Sequence, residues 1–110
     1  MSRDQLYLQH VLDAIGKIER YVQVGYDEFM AESHWQDAVI RQLEILGEAV
    51  KRISPESLGL RPDVPWRRIA GMRDVLIHNY MGVDLAAVWQ VTQREIGPLR
   101  EAVEELLDKQ

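Results

Sequence analysis

The chain has 110 residues, enough for one hydrophobic core and short of a second; 46% are hydrophobic and 28% charged, the balance of a folded protein rather than a disordered or fibrous one. It has no cysteine, which rules out disulfides and thiolate zinc sites, and a formal net charge of −5, which rules out nucleic-acid binding by bulk electrostatics and requires any contact with a polyanion to be local. The opening Met1-Ser2-Arg3-Asp4-Gln5 lacks an apolar signal core, and no apolar run approaches the ~20 residues of a membrane span, so a cytoplasmic protein with no membrane partner is expected.

In chain order, Leu8, Val11, Leu12, Ile15, Ile18 and Val22 recur at three and four residues, predicting an amphipathic helix from about Arg3 to Gln23 that Gly25 ends. A short helical turn is expected within Tyr26–Ser33, with Ser33 or a neighbour capping the next helix. That second long helix, about His34 to Ile53, carries a stripe of Val39, Leu43, Leu46, Val50 and Ile53 and a second line of Ala38, Ile45 and Ala49. A helix apolar on two sides is central in a bundle or shared with a partner. Gly47 costs that helix about 1 kcal/mol relative to Ala, which implies close approach by a neighbour. Glu48 is placed to pair with Arg52 one turn on. His10 falls off the first stripe and, like His34, reads as a plain surface histidine.

Residues Ser54–Val64, rich in Pro, Gly and Ser, read as a loop, after which Pro65 suits the first turn of a short third helix from about Trp66 to Asn79. Met81-Gly82-Val83 turns the chain, and Asp84 caps a last helix with Leu85, Val88, Thr92, Leu99, Val103 and Leu106, in which Gly97-Pro98 forms a kink or break. Trp89 is expected to pack. The fold class is therefore all-α: an antiparallel helical bundle of three long helices plus a short motif-bearing helix, residues 1–110 forming one domain. The surplus of apolar faces on so short a chain predicts a homodimer.

The chemistry concentrates in Arg73-Asp74-Val75-Leu76-Ile77-His78-Asn79-Tyr80, where a fixed cation, an imidazole and a phenol flank three apolar anchors. Asp74 and His78 are four apart and share a helix face, so the carboxylate can set the imidazole tautomer. Arg73 and His78 are five apart, roughly 140° around an ideal helix. They converge only where the helix frays or where a second chain contributes; Asn79 suits a helix end. Arg61, Arg67, Arg68 and Arg73 lie close in sequence opposed by Asp63 alone, a local basic patch in which Arg67 and Arg68 are candidate contacts for a polyanion such as a nucleic acid. No metal site is expected, since the chain has no His-x3-His pair and its carboxylates lie scattered. There is no Gly-rich phosphate loop.

Arg73, four residues, His78, one residue, Tyr80 resembles the Arg-x4-His-x-Tyr motif of the HepT-like toxins of the HEPN superfamily, with Leu46-Gly47-Glu48-Ala49, Pro65-Trp66, Val83-Asp84 and Val88-Trp89 in matching context. The resemblance spans nearly the whole chain. It implies a HEPN-like fold and a metal-independent endoribonuclease, with Arg73 and His78 catalytic, Asp74 and Asn79 supporting, and no cofactor. It further implies the toxin of a toxin–antitoxin system whose partners are RNA, a second copy and a cognate minimal nucleotidyltransferase antitoxin that can transfer AMP to Tyr80; DNA is not expected as a substrate. Asp74 stands where the family often has Asn, and its carboxylate would weaken the pull of Arg73 on phosphate. The alternative is a non-catalytic helical module that binds a nucleotide or a nucleotidyltransferase.

Overall fold

The computed structural model describes the backbone of residues 1–78 and 82–110 and the side chains of residues 1–72 and 82–110. The helices are α1 (Arg3–Tyr21), α2 (Tyr26–Ala31), α3 (Ser33–Lys51), α4 (Pro55–Leu58), α5 (Trp66–His78), α6 (Leu85–Arg94) and α7 (Ile96–Asp108), and there is no strand among the described residues. The all-α bundle expected from periodicity is the architecture found.

Ser2 opens α1 with a full capping box: its hydroxyl accepts from the Gln5 N–H, and the Gln5 side chain accepts from the Ser2 N–H. After Tyr21 a 3-10 turn, Val22–Val24, leads to Gly25, whose φ of 91° lies in the left-handed region where a Cβ is strained. The Gly25 carbonyl then accepts from the Phe29 N–H, starting α2. Phe29 is fully buried and tilts against Trp89 at 5.2 Å, and Tyr26 meets the same ring edge-on at 5.7 Å; Trp89 packs as expected. At the start of α3 it is Glu32, the neighbour of Ser33, that holds the cap position, but it makes no side-chain cap bond; Gln36 donates to the carbonyls of Phe29 and Met30 and fastens the α2–α3 corner.

Helix α3 is the axis of the fold, packed between α1 and α5. Its stripe of Val39, Leu43, Leu46 and Val50 is buried, with Ile40 and Gly47 beside it; of the second line only Ala49 is buried, while Ala38 and Ile45 are half-buried. Burying each such aliphatic side chain stabilises the fold by about 1.5–3 kcal/mol. Helix α7 closes on α1 through Leu99, Ala102, Val103 and Leu106, and Arg100 bonds Glu19 across that pair.

The segment 54–64 is less loop-like than its composition suggested. Ser54 caps α4 by accepting from the Ser57 N–H, with Pro55 in the first turn. Asp4 of α1 reaches this cap: it accepts from the Ser54 N–H at 2.9 Å, the Ser54 hydroxyl at 2.6 Å and the Ser57 hydroxyl. Those bonds, that to the Ser54 side chain above all, hold the Asp4 carboxyl below its ordinary pKa. The last long helix expected from the sequence is two helices. The break falls at Glu95, ahead of Gly97-Pro98, because Pro98 sits in the first turn of α7, where its missing N–H has no intrahelical partner to lose.

Candidate functional site

Helix α5 begins where three interactions fix it. The Pro65 carbonyl accepts from the Ile69 N–H, the buried Trp66 indole donates to the Arg61 carbonyl at 2.9 Å, and Ile69 inserts into the core. From this anchored start the helix carries the motif: the backbone of Arg73, Asp74 and His78 lies on its last two turns, as the sequence predicts. Helical register puts position 73 two turns beyond Trp66, on the side that bears Trp66 and Ile69. Position 78 falls within about 20° of Gly71, on the other side. Asn79 and Tyr80 lie outside the described residues, as do the side chains of Arg73, Asp74 and His78.

The expected basic patch is more balanced than the sequence suggested. Arg61 binds Asp63 and also Glu105 of α7 at 2.7 Å. The bond to Asp63, followed by that to Glu105, pushes the guanidinium further above its ordinary pKa, and Asp63 is correspondingly depressed. Glu105 is lowered by Lys109 first and by Arg61 second. Arg68 pairs with Glu95 at the α6–α7 joint. Arg67 is exposed, with no carboxylate partner among the described residues, so of the two candidate RNA contacts it is the one whose charge is not already matched. Glu48 pairs with Arg52 at 3.1 Å, the i,i+4 bridge expected of it.

Of the histidines, His10 is exposed with its ring against Tyr7, and His34 is exposed 3.9 Å from Glu32. Neither joins a group of three acidic or imidazole side chains able to hold a metal among the described residues. No helix among them is long and apolar enough to cross a membrane. Between α5 and α6, Arg68, Gly71 and Met72 face Gln90, Val91 and Arg94 across a groove. Sequence reasoning passed over Arg94; the signal was that α5 and α6 are joined by a short turn, so residues near their outer ends must meet.

A family model described as "Ribonuclease HepT-like" matches residues 11–106. The chain belongs to the HepT-like ribonuclease family. Among its relatives, a Thermococcus cleftensis protein named "Probable ribonuclease HepT" is 41% identical over 91% of this chain and 92% of its own length. A Caldanaerobacter subterraneus subsp. tengcongensis protein named a "Putative RNase" is 39% identical over 100% of this chain and 99% of its own. A Methanocaldococcus jannaschii protein named "Gamma-glutamylcyclotransferase and putative RNase" is 39% identical over 99% of this chain, which spans only 50% of that relative's length. No solved structure is a significant match. The HepT-like chain is thereby assigned to the ribonucleases, with RNA as the substrate class its family suggests.

Proposed function

We propose that this HepT-like chain is a single-domain cytoplasmic toxin: a metal-independent endoribonuclease whose Arg73 and His78 cut RNA and whose partners are a second copy and a nucleotidyltransferase antitoxin. The observation that carries the reading is the family match across 11–106, which includes the Arg73–His78 spacing on an anchored helix end. In the reaction the 2′-hydroxyl attacks the adjacent phosphorus and loses its proton to a base. The P–O5′ bond breaks, the 5′-oxygen takes a proton from an acid, and a 2′,3′-cyclic phosphate is left. The fixed fork of Arg73 suits the equatorial phosphate oxygens, and the imidazole of His78 suits proton transfer.

One imidazole does not easily stand on both sides of an in-line displacement, and Arg73 and His78 diverge by about 140° on one helix. A two-fold dimer with facing α5 ends supplies both missing pieces. Asp74, four residues before His78, and Asn79, the residue after it, support the imidazole. Transfer of AMP to Tyr80 would place negative charge and bulk where RNA phosphate must lie and silence the toxin.

The test is expression of wild type beside His78→Ala and Arg73→Ala with growth and RNA integrity followed. Both substitutions are expected to abolish toxicity at unchanged helicity. Undiminished toxicity of His78→Ala would falsify the nuclease mechanism. A non-catalytic binding module is the second reading, favoured by the net charge of −5, and would show RNA or nucleotide binding without cleavage.

A further inference from the structure

We propose that the groove between α5 and α6 is the bed for the single-stranded RNA flanking the cut, with Arg94 holding one of its phosphates; this rests on the ribonuclease reading above. The groove is continuous. A hollow of about 250 Å³ beside Gln90 and Arg94 adjoins one of about 420 Å³ over Gly71, Met72 and Val91, and Arg68 and Glu95 border both.

Its charge is unusual for this molecule. The chain is acidic overall, and Arg61, Arg68 and Arg100 are each neutralised by carboxylates. Arg94, exposed in the last turn of α6, has no ion-pair or hydrogen-bond partner among the described residues, so the groove carries an unmatched guanidinium beside the amide of Gln90. A planar fork of donors suits a phosphate diester.

The floor differs from the rim. Met72 and Val91 are half-buried and apolar, and Gly71 lines the same hollow, where an added Cβ would meet nothing within 4 Å among the described residues. Among the described residues no packing therefore demands glycine at this helical position, although glycine costs helix stability of about 1 kcal/mol. A low, apolar floor with a cationic rim fits a base face and its phosphate together, the arrangement by which single strands are held without reading sequence.

The direction also fits. From Arg68 to His78 the helix rises about 15 Å, roughly four stacked nucleotides at 3.4 Å each. Position 78 follows Gly71 by seven residues on nearly the same line, so a strand crossing the groove over Gly71 runs on toward that backbone position.

The experiment uses the full chain carrying His78→Ala, so that a short fluorescent single-stranded RNA survives, and measures affinity against salt. Adding Arg94→Ala is expected to weaken binding roughly five- to tenfold and to reduce the slope of log affinity against log salt by about 0.7, the loss of one phosphate contact. Gly71→Leu, which fills the floor without touching the core, should weaken binding with the slope retained. In the chain with His78 intact, the Arg94→Ala loss should appear in KM rather than kcat. Unchanged affinity and slope would overturn the proposal, and so would a change of sedimentation with either variant, since the groove would then be a contact between protein chains. Cleavage indifferent to Arg94→Ala would sink the groove and leave the nuclease. Binding with an Arg94-dependent slope but no cleavage by the intact chain would keep the groove and sink the nuclease. A chain that bound no RNA would end both.

Discussion

Replacing Asp4 by Asn should destabilise the protein near neutrality and leave it almost unaffected in acid. The Asp4 carboxylate accepts three hydrogen bonds, from the Ser54 N–H and the hydroxyls of Ser54 and Ser57, and it stands in the first turn of α1. Hydrogen bonds to a charged group contribute about 1.5–3 kcal/mol, and a half-exposed position takes the low end. The helix dipole adds about 0.3–1 kcal/mol. The expected loss in Asp4→Asn at pH 7 is therefore about 2 kcal/mol, or roughly 8 °C in Tm for a chain of this size. Because the folded-state pKa lies below the ordinary value of 3.8, the unfolded chain takes up the proton first as pH falls. The contribution is complete above the unfolded value and disappears as pH drops through it toward the folded one. Asp63 and Glu105, also depressed, titrate in the same range but occur in both proteins and cancel in the difference. Urea denaturation of wild type and variant at several pH values reads this directly. A gap that stays constant from pH 7 to below 4, or one under about 0.5 kcal/mol at pH 7, would show that the α1–α4 tie contributes little.

Leu46→Ala removes a fully buried side chain from the central helix and should cost about 3–5 kcal/mol in urea denaturation; a loss under 1 kcal/mol would contradict the packing of α3. Trp66→Phe deletes the indole bond to the Arg61 carbonyl and should cost about 1 kcal/mol, with faster amide exchange at the start of α5; exchange spread evenly over the chain would argue against a local anchor. RNA cleavage should proceed in EDTA and leave cyclic phosphate ends, detectable by chromatography of the products, whereas strict dependence on an added divalent ion would exclude 2′-hydroxyl attack driven by side chains alone.

The long helices were legible because period is a local property. Leu8, Val11, Ile15 and Ile18, like Val39, Leu43, Leu46 and Val50, are all buried where spacing put them. Phe29 was not legible: a six-residue helix is too short to show a period, and the ring that packs against Phe29, Trp89, lies far along the chain. The start of α3 was legible in position but not in its fastening: Glu32 makes no side-chain cap bond, and Gln36 from within the helix ties the corner to α2. The basic patch was overread for a related reason. Arg61 meets Glu105 at a separation of 44 residues and Arg68 meets Glu95 at 27, pairings that depend on the tertiary fold and leave no local pattern. The motif spacing of Arg73 and His78 was visible in the chain; Arg94 became a candidate only when the groove was seen.

The central place of α3 bears on how the molecule assembles. Its two main neighbours, α1 and α5, flank it in sequence, so both its faces are filled from nearby chain, contacts of low order that form in microseconds to milliseconds in helical bundles. The pairing of α1 with α7 is different, because Glu19 and Arg100 are 81 residues apart. Closing a loop of that length from a flexible chain costs about 4 kcal/mol by the logarithmic term alone. A layered order of assembly follows, in which the α1–α3–α5 unit bearing the motif helix gathers first and α7 seals the far side of α1 last.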